Sequence, residues 1–227
     1  MKTLLLWDID GTLIVSGGAG ERALLAALRQ ESGIAGSLDG VELAGRTDPW
    51  IARRLLQKYT LPTDPADIGR FLQHYLAALP GELHHPLARP LPGIREIVSA
   101  IAARTDLAQG LLTGNQRRGA EIKLGHHDLW RHFAFGAFSD DSETRNELGP
   151  HAVRRAREHH RADFAPECVF VIGDTPHDIA CGQAIGARTI GVATGRYSVA
   201  ELQAHSPTFT FPDLSDTAAF LRAIGAG

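Results

Sequence analysis

The sequence predicts an α/β protein: a doubly wound parallel sheet interrupted, after its first strand, by an all-helical insertion. Three observations predict it. From Leu91 onward, short apolar runs of strand length alternate with amphipathic stretches of helix length, the pattern of parallel strands joined by crossover helices. The run Leu4-Leu5-Leu6-Trp7 opens the chain as one more buried strand. Between these parts, residues 15–88 carry only helical periodicity.

The elements follow in order. After the opening strand come two carboxylates one residue apart, Asp8 and Asp10, and then Gly11, where the backbone can turn sharply. Asp-Gly between apolar runs is also a hairpin signal, but a hairpin leaves Asp8 as an unpaired acid at the end of a hydrophobic strand, at a desolvation cost. Val15-Ser16-Gly17-Gly18-Ala19-Gly20 reads as a hinge, since it lacks the lysine and hydroxyl of a phosphate-binding Walker loop. Helices are expected over 21–31, from Asp48 as N-cap with Pro49 next, and from Asp64-Pro65, each with an apolar face. Pro86, Pro90 and Pro92 mark the return.

Beyond the return, strands are expected at 110–113, 134–138, 168–172, 188–192 and 208–211. Helices are expected around Ile94–Ile101 and at 116–124, 150–160, 176–185 and 217–224. The domain division is therefore 1–14 with 89–227 as the α/β core and 15–88 as the helical insertion.

Composition bounds the function. The 227 residues are 44% apolar and 22% charged with a net charge of −3, which gives no electrostatic footprint for nucleic acid. No apolar run reaches a membrane span, and no secretory leader is visible. A reducing, cytoplasmic setting is expected, with the two cysteines as buried small hydrophobes rather than a disulfide or metal pair. The eleven histidines show no helical zinc spacing and read mostly as surface, His177 excepted by its position.

Open sheets of this kind bind ligands beyond the carboxyl ends of their strands. Three strands end there in polar residues: Asp8-Ile9-Asp10, Thr113-Gly114-Asn115, and Gly173-Asp174-Thr175-Pro176-His177-Asp178. Asn115 could cap its helix, and Thr175 with Asp178 fits a capping box. Asp174 leaves a very hydrophobic strand, where an unpaired carboxylate is rare. Three acids at one sheet end repel one another unless a divalent cation sits among them, and a few hard oxygen ligands suit Mg²⁺.

These three segments, in this order, resemble motifs one, two and four of the haloacid dehalogenase (HAD) superfamily, and the helical insertion lies where that family's C1 cap sits. The resemblance covers nearly the whole chain and is phosphoglycolate-phosphatase-like. It implies a Rossmann-like core and a Mg²⁺-dependent phosphatase acting on a small phosphorylated metabolite, phosphoglycolate-like or a sugar phosphate. Asp8 would be the nucleophile that becomes an aspartyl phosphate, and Asp10 the acid and base. Asp8, the Asp10 carbonyl and Asp174 would hold Mg²⁺, supported by Asp178. Thr113, Gly114 and Asn115 would bind phosphoryl oxygens. The turn Ala44-Gly45-Arg46-Thr47-Asp48 resembles a cap turn of such enzymes, so Arg46 would reach over an anionic substrate; its plain alternative is an exposed loop arginine.

One departure stands out. The family's third motif is usually a lysine between motifs two and four, and the run from Asp140 to Pro150 has none. Arg145 is the only cation there and is the expected replacement, able to clamp phosphate and Asp8 through a bidentate fork. Lys123 is the competing cation, on the helix after motif two. Two other functions stay open: a phosphosugar mutase of the same family, and a non-catalytic member that binds a phosphorylated ligand. The expected assembly is a monomer or homodimer.

Overall fold

A computed structural model describes residues 2–226. Strand β1 (Thr3–Trp7) is followed by β2 (Ile14–Val15), helices α1 (Ala19–Ser32), α2 (Asp48–Lys58) and α3 (Pro65–Glu82), and β3 (Arg89–Pro90). Then come α4 (Ile94–Ala102), β4 (Leu107–Leu112), α5 (Arg117–His126), β5 (Gly136–Ala137), α6 (Leu148–His160) and β6 (Val169–Gly173). Helix α7 (Pro176–Ala184), β7 (Arg188–Val192), α8 (Val199–Gln203), β8 (Phe209–Phe211) and α9 (Thr217–Ala223) complete the chain.

The six-stranded sheet has the order β5-β4-β1-β6-β7-β8 and is parallel throughout. Strand β1 is central, with Leu6 paired to Gly110 on one side and Val171 on the other. Its side chains alternate between two buried layers: Leu5 and Trp7 pack with α4 and α9, Leu4 and Leu6 with α6. That is why the strand reads as a continuous apolar run rather than an alternating one. Strand order reverses direction at β1, so the carboxyl ends of β1, β4 and β6 open a crevice there.

Helices α1–α3 pack around their own apolar cluster, including Leu28, Leu55, Phe71 and Tyr75, over the carboxyl end of the sheet. The chain leaves and re-enters the core as an antiparallel pair, with Ile14 opposite Pro90 and Val15 opposite Arg89. The Asp-Gly turn is real, but β2 pairs with β3 and not back onto β1. Among the described residues no helix is long and apolar enough to cross a membrane.

Several boundaries differ from expectation. Thr47, not Asp48, occupies the cap position of α2. The Asp48 carboxylate instead accepts from the Gln116 backbone N–H at 2.7 Å, at the start of α5. Asp64 caps α3 as expected, in a box completed by Asp67. Strand β4 begins three residues earlier than its apolar run suggested, because Gln109 is accepted inside the sheet by donating to Val98 O at 2.9 Å. Helix α8 lay outside the sequence reading.

Candidate active site

Asp8 continues the sheet ladder, its N–H donating to Ile172 O at 2.9 Å, so its position is tied to two strands. The next turn winds tightly: Ile9 O accepts from Thr12, Leu13 and Ile14, with Gly11 at φ +80°. This conformation costs a glycine little and other residues more. It swings Asp10 to the same end of the sheet as Asp8.

Three buried carboxylates, Asp8, Asp174 and Asp178, bring oxygens within 4.8 Å of one another. Arg145 answers them. Its Nη2 donates to Asp8 Oδ1 at 3.0 Å and also to Asp178 Oδ1, and its Nη1 donates to Gly45 O at 3.2 Å. Asp178 is held too as the capping-box partner of Thr175, whose N–H and hydroxyl donate to it at 3.0 and 2.6 Å. Asp178 is thus the capping-box partner of Thr175 and, at the same time, a contact of Arg145.

Burial pushes the Asp8 carboxyl up to about 6, against the pull of Arg145. Burial, Asp178 and Asp8 raise Asp174 well above the carboxylate range. The Arg145 guanidinium is itself buried, which disfavours its charge, but Asp178 and Asp8 more than compensate and hold it cationic. Asp174 has one long side-chain partner, the Thr12 hydroxyl at 3.4 Å. Three converging carboxylates against one guanidinium, with Asp174 nearly without donors, form a hard-oxygen set that fits a divalent cation.

The second carboxylate has its own cation. Lys123 Nζ donates to Asp10 Oδ2 at 2.6 Å and to Asn115 Oδ1 at 2.6 Å, and Asn115 Nδ2 donates to Asp10 Oδ2 at 3.0 Å. Each of the two candidate cations has its own carboxylate: Arg145 stands on Asp8 and Lys123 on Asp10. In the sequence Lys123 is only the competing cation on the helix after motif two. Lys123 lies on the buried side of α5 with Ala120 and Leu124, a placement that gains its meaning only from the turn of Asp10 toward that helix.

The remaining expected residues divide. Gly114 and Asn115 line a cavity of about 320 Å³ that also meets Asp8, Asp10 and Asp174. Thr113 is fully buried beneath them, its Oγ1 accepting from Asn115 Nδ2 at 2.9 Å; it does not line the cavity. Arg46 lines the cavity, but its guanidinium bonds Glu42 at 2.6 Å and lies 4.4 Å over the Trp50 ring. His177, singled out by position, meets Glu42 at 3.1 Å. His127 departs from the surface reading and is buried.

The helical insertion forms the cavity's roof through Leu24, Ile51 and Tyr75. Its turn at 43–48 is docked onto the core: Asp48 N–H donates to Gly114 O at 2.8 Å and Thr47 Oγ1 to Glu143 O at 2.7 Å. A Cβ at Gly114 would stand 2.2 Å from Arg46 O, so that glycine permits the approach.

A parallel sheet with paired acids at its switch point, beneath a helical cap, defines the haloacid-dehalogenase-like class of Rossmann-like α/β folds, and this chain has that fold. The family model described as HAD-hydrolase-like matches residues 146–217. Pyrophosphatase PpaX of Bacillus mycoides is 29% identical over 115 residues, 51% of this chain and 52% of that protein. The chain thus spans about half the length of the curated relatives it matches. A solved structure of a predicted phosphoglycolate phosphatase from Haemophilus somnus superimposes with TM-score 0.75 at 16% identity, covering 96% of this chain and 97% of that one. CbbY from Rhodobacter sphaeroides, solved in complex with phosphate, gives TM-score 0.73 at 16% identity, covering 95% and 96%. The resemblance read from the motifs is borne out in the fold.

Proposed function

We propose that this protein is a Mg²⁺-dependent phosphatase of the cytoplasm that hydrolyses a small phosphorylated metabolite through an aspartyl phosphate on Asp8. The observation that carries this reading is the pairing of Asp8 with Arg145, 3.0 Å apart at the end of the central strand, facing Asp174. The cavity of about 320 Å³ suits a small metabolite, phosphoglycolate-like or a sugar phosphate. Curated relatives described as pyrophosphatases and structural neighbours described as phosphatases support the class of reaction.

The chain's own residues divide the work. An Asp8 oxygen attacks phosphorus as the ester P–O bond breaks, splitting hydrolysis into two easier steps. Asp10 gives the leaving oxygen its proton and then takes one from the water that cleaves the aspartyl phosphate. Arg145 holds Asp8 in line and presents its guanidinium to the phosphoryl oxygens, assisted by the turn at Gly114 and Asn115; Thr113 acts through Asn115. Asp8, the Asp10 carbonyl and Asp174 would hold Mg²⁺, with Asp178 fixing Arg145 beside them. When bound, that ion supplies charge neutralisation for the transferring phosphoryl group.

The test is release of inorganic phosphate from a panel of phosphorylated metabolites and para-nitrophenyl phosphate, with Mg²⁺ and with EDTA, alongside Asp8→Asn. Metal-dependent turnover abolished by the substitution supports the reading. Turnover that survives Asp8→Asn, or its absence across the panel, overturns it.

A further inference from the structure

Lys123 lies outside every motif, yet it is the most unexpected group in the site. Its side chain is 5% exposed, and burying an ammonium is costly without paired carboxylates. The face it shares with Ala120 and Leu124 would accept a leucine on packing grounds. What holds the lysine there is polar: Asp10 and Asn115 within 2.6 Å, with the Tyr75 hydroxyl of α3 and the Asp48 carboxylate of α2 around it.

The three bonds among Lys123, Asp10 and Asn115 close a triangle. Lys123 donates to Asn115 Oδ1, which leaves Nδ2 as the amide's donor and directs it at Asp10. Both donors fall on one oxygen of Asp10, Oδ2. An oxygen accepting from an ammonium and an amide is a poor place to carry a proton, so the reacting proton belongs on Oδ1.

We propose that Lys123 is a positioning residue for Asp10, pinning Oδ2 together with Asn115 so that Oδ1 faces the ester oxygen. The kinetic consequence rests on the phosphatase reading. In the first step Asp8 O–P forms, the ester P–O bond breaks, and the proton on Asp10 Oδ1 passes to the departing oxygen. In the second, water O–P forms, Asp8 O–P breaks, and the water proton returns to Oδ1. Lys123 neither gives nor receives a proton.

The experiment compares Lys123→Met, Lys123→Arg and Asn115→Ala on two substrates. Nitrophenolate departs without a proton, whereas the alkoxide of an alkyl phosphate needs one. With para-nitrophenyl phosphate, Lys123→Met gives a nitrophenol burst at close to the wild-type rate, followed by turnover slowed about 100-fold. With an alkyl phosphate, kcat falls about 100-fold from the first turnover while KM stays within a few-fold. Lys123→Arg recovers part of the loss. An equal fall in burst and turnover on both substrates, or no fall, overturns the proposal. If Lys123→Met does not fold, Asn115→Ala removes the other pin; because Asn115 also serves phosphoryl binding, that variant is read from its crystal structure, where Asp10 is expected to rotate, and not from burst or KM. Crystal structures of wild type and variant decide independently of turnover: the Asp10 carboxylate rotates in the variant if Lys123 positions it. An unmoved Asp10 overturns the proposal, whereas a wild type inert toward every ester sinks the phosphatase reading alone.

Discussion

Arg145 and Gly45 meet across the seam between core and cap: Nη1 donates to the Gly45 carbonyl at 3.2 Å while Nη2 of the same guanidinium holds Asp8 at 3.0 Å. One planar group therefore joins the docked cap turn to Asp8. A lysine ammonium in this place is a single point and cannot keep both ends of that span.

Replacing Arg145 with methionine is expected to lower kcat/KM at least 100-fold, since Asp8 and Asp178 lose the cation they share. It also leaves buried carboxylates uncompensated, which typically costs about 3–5 kcal/mol, so its unfolding midpoint should recover when Mg²⁺ is added. Arg145→Lys should keep the Asp8 contact and lose Gly45 O, raising KM more than it lowers kcat. Steady-state kinetics on both variants checks this; a methionine variant as active as wild type refutes it.

Asp174 is shaped by glycines rather than by donors. A Cβ at Gly195 would stand 1.7 Å from Asp174 Oδ2, so Gly195→Ala must displace the carboxylate. The expected result is at least a tenfold rise in the Mg²⁺ concentration giving half-maximal activity. Gly69 supplies the contrast, because a Cβ there meets nothing within 4 Å on the exposed side of α3. Gly69→Ala should stabilise the fold by about 0.5–1 kcal/mol and leave the Mg²⁺ requirement unchanged. Titrations and urea unfolding of both variants measure the difference.

Much of this site was legible because its acids end strands. A carboxylate directly after Leu4-Leu5-Leu6-Trp7 or after Val169-Phe170-Val171-Ile172-Gly173 has no bland place to go, and the parallel sheet brings such ends together. Arg145 was legible as the only cation in its run. Lys123 was not, because its helix position is informative only once Asp10 is known to swing toward α5. The fate of Arg46 was hidden for a related reason. Its partners Glu42 and Trp50 are near in sequence, but a turn's side-chain pairing depends on which face docks, and that is set by Gly114 and Gly45 across the seam.

That pairing makes its own prediction. Arg46 and Glu42 form a half-exposed ion pair, with side chains 33% and 40% accessible, worth under about 1 kcal/mol to stability. An anionic leaving group must draw Arg46 away from Glu42 to use it. Glu42→Gln weakens the competitor and should lower KM for carboxylate-bearing phosphate esters several-fold, while Arg46→Met raises it with kcat nearly unchanged. Equal KM values across all three proteins would remove Arg46 from substrate binding.

Asp48 gives the stability of the seam a pH dependence of definite sign. Burial pushes its carboxyl from 3.8 up to about 6, although Lys123 and the Gln116 N–H favour the anion, with Asp10 and Asp140 adding repulsion. Between those two values the folded chain binds the proton and the unfolded chain does not. The contribution of Asp48 is therefore fully present below about pH 4, falls as pH rises to about 6, and is flat above. A shift of two units corresponds to an upper size of about 3 kcal/mol. Asp48→Asn retains an oxygen for the Gln116 N–H and cannot titrate, so wild type should lose stability relative to the variant across this window. Urea unfolding of both proteins at pH 4, 5, 6 and 7 reads the gap directly; a gap that stays constant, or moves in favour of wild type as pH rises, would show that Asp48 is already ionised in the folded protein and that Lys123 outweighs burial there.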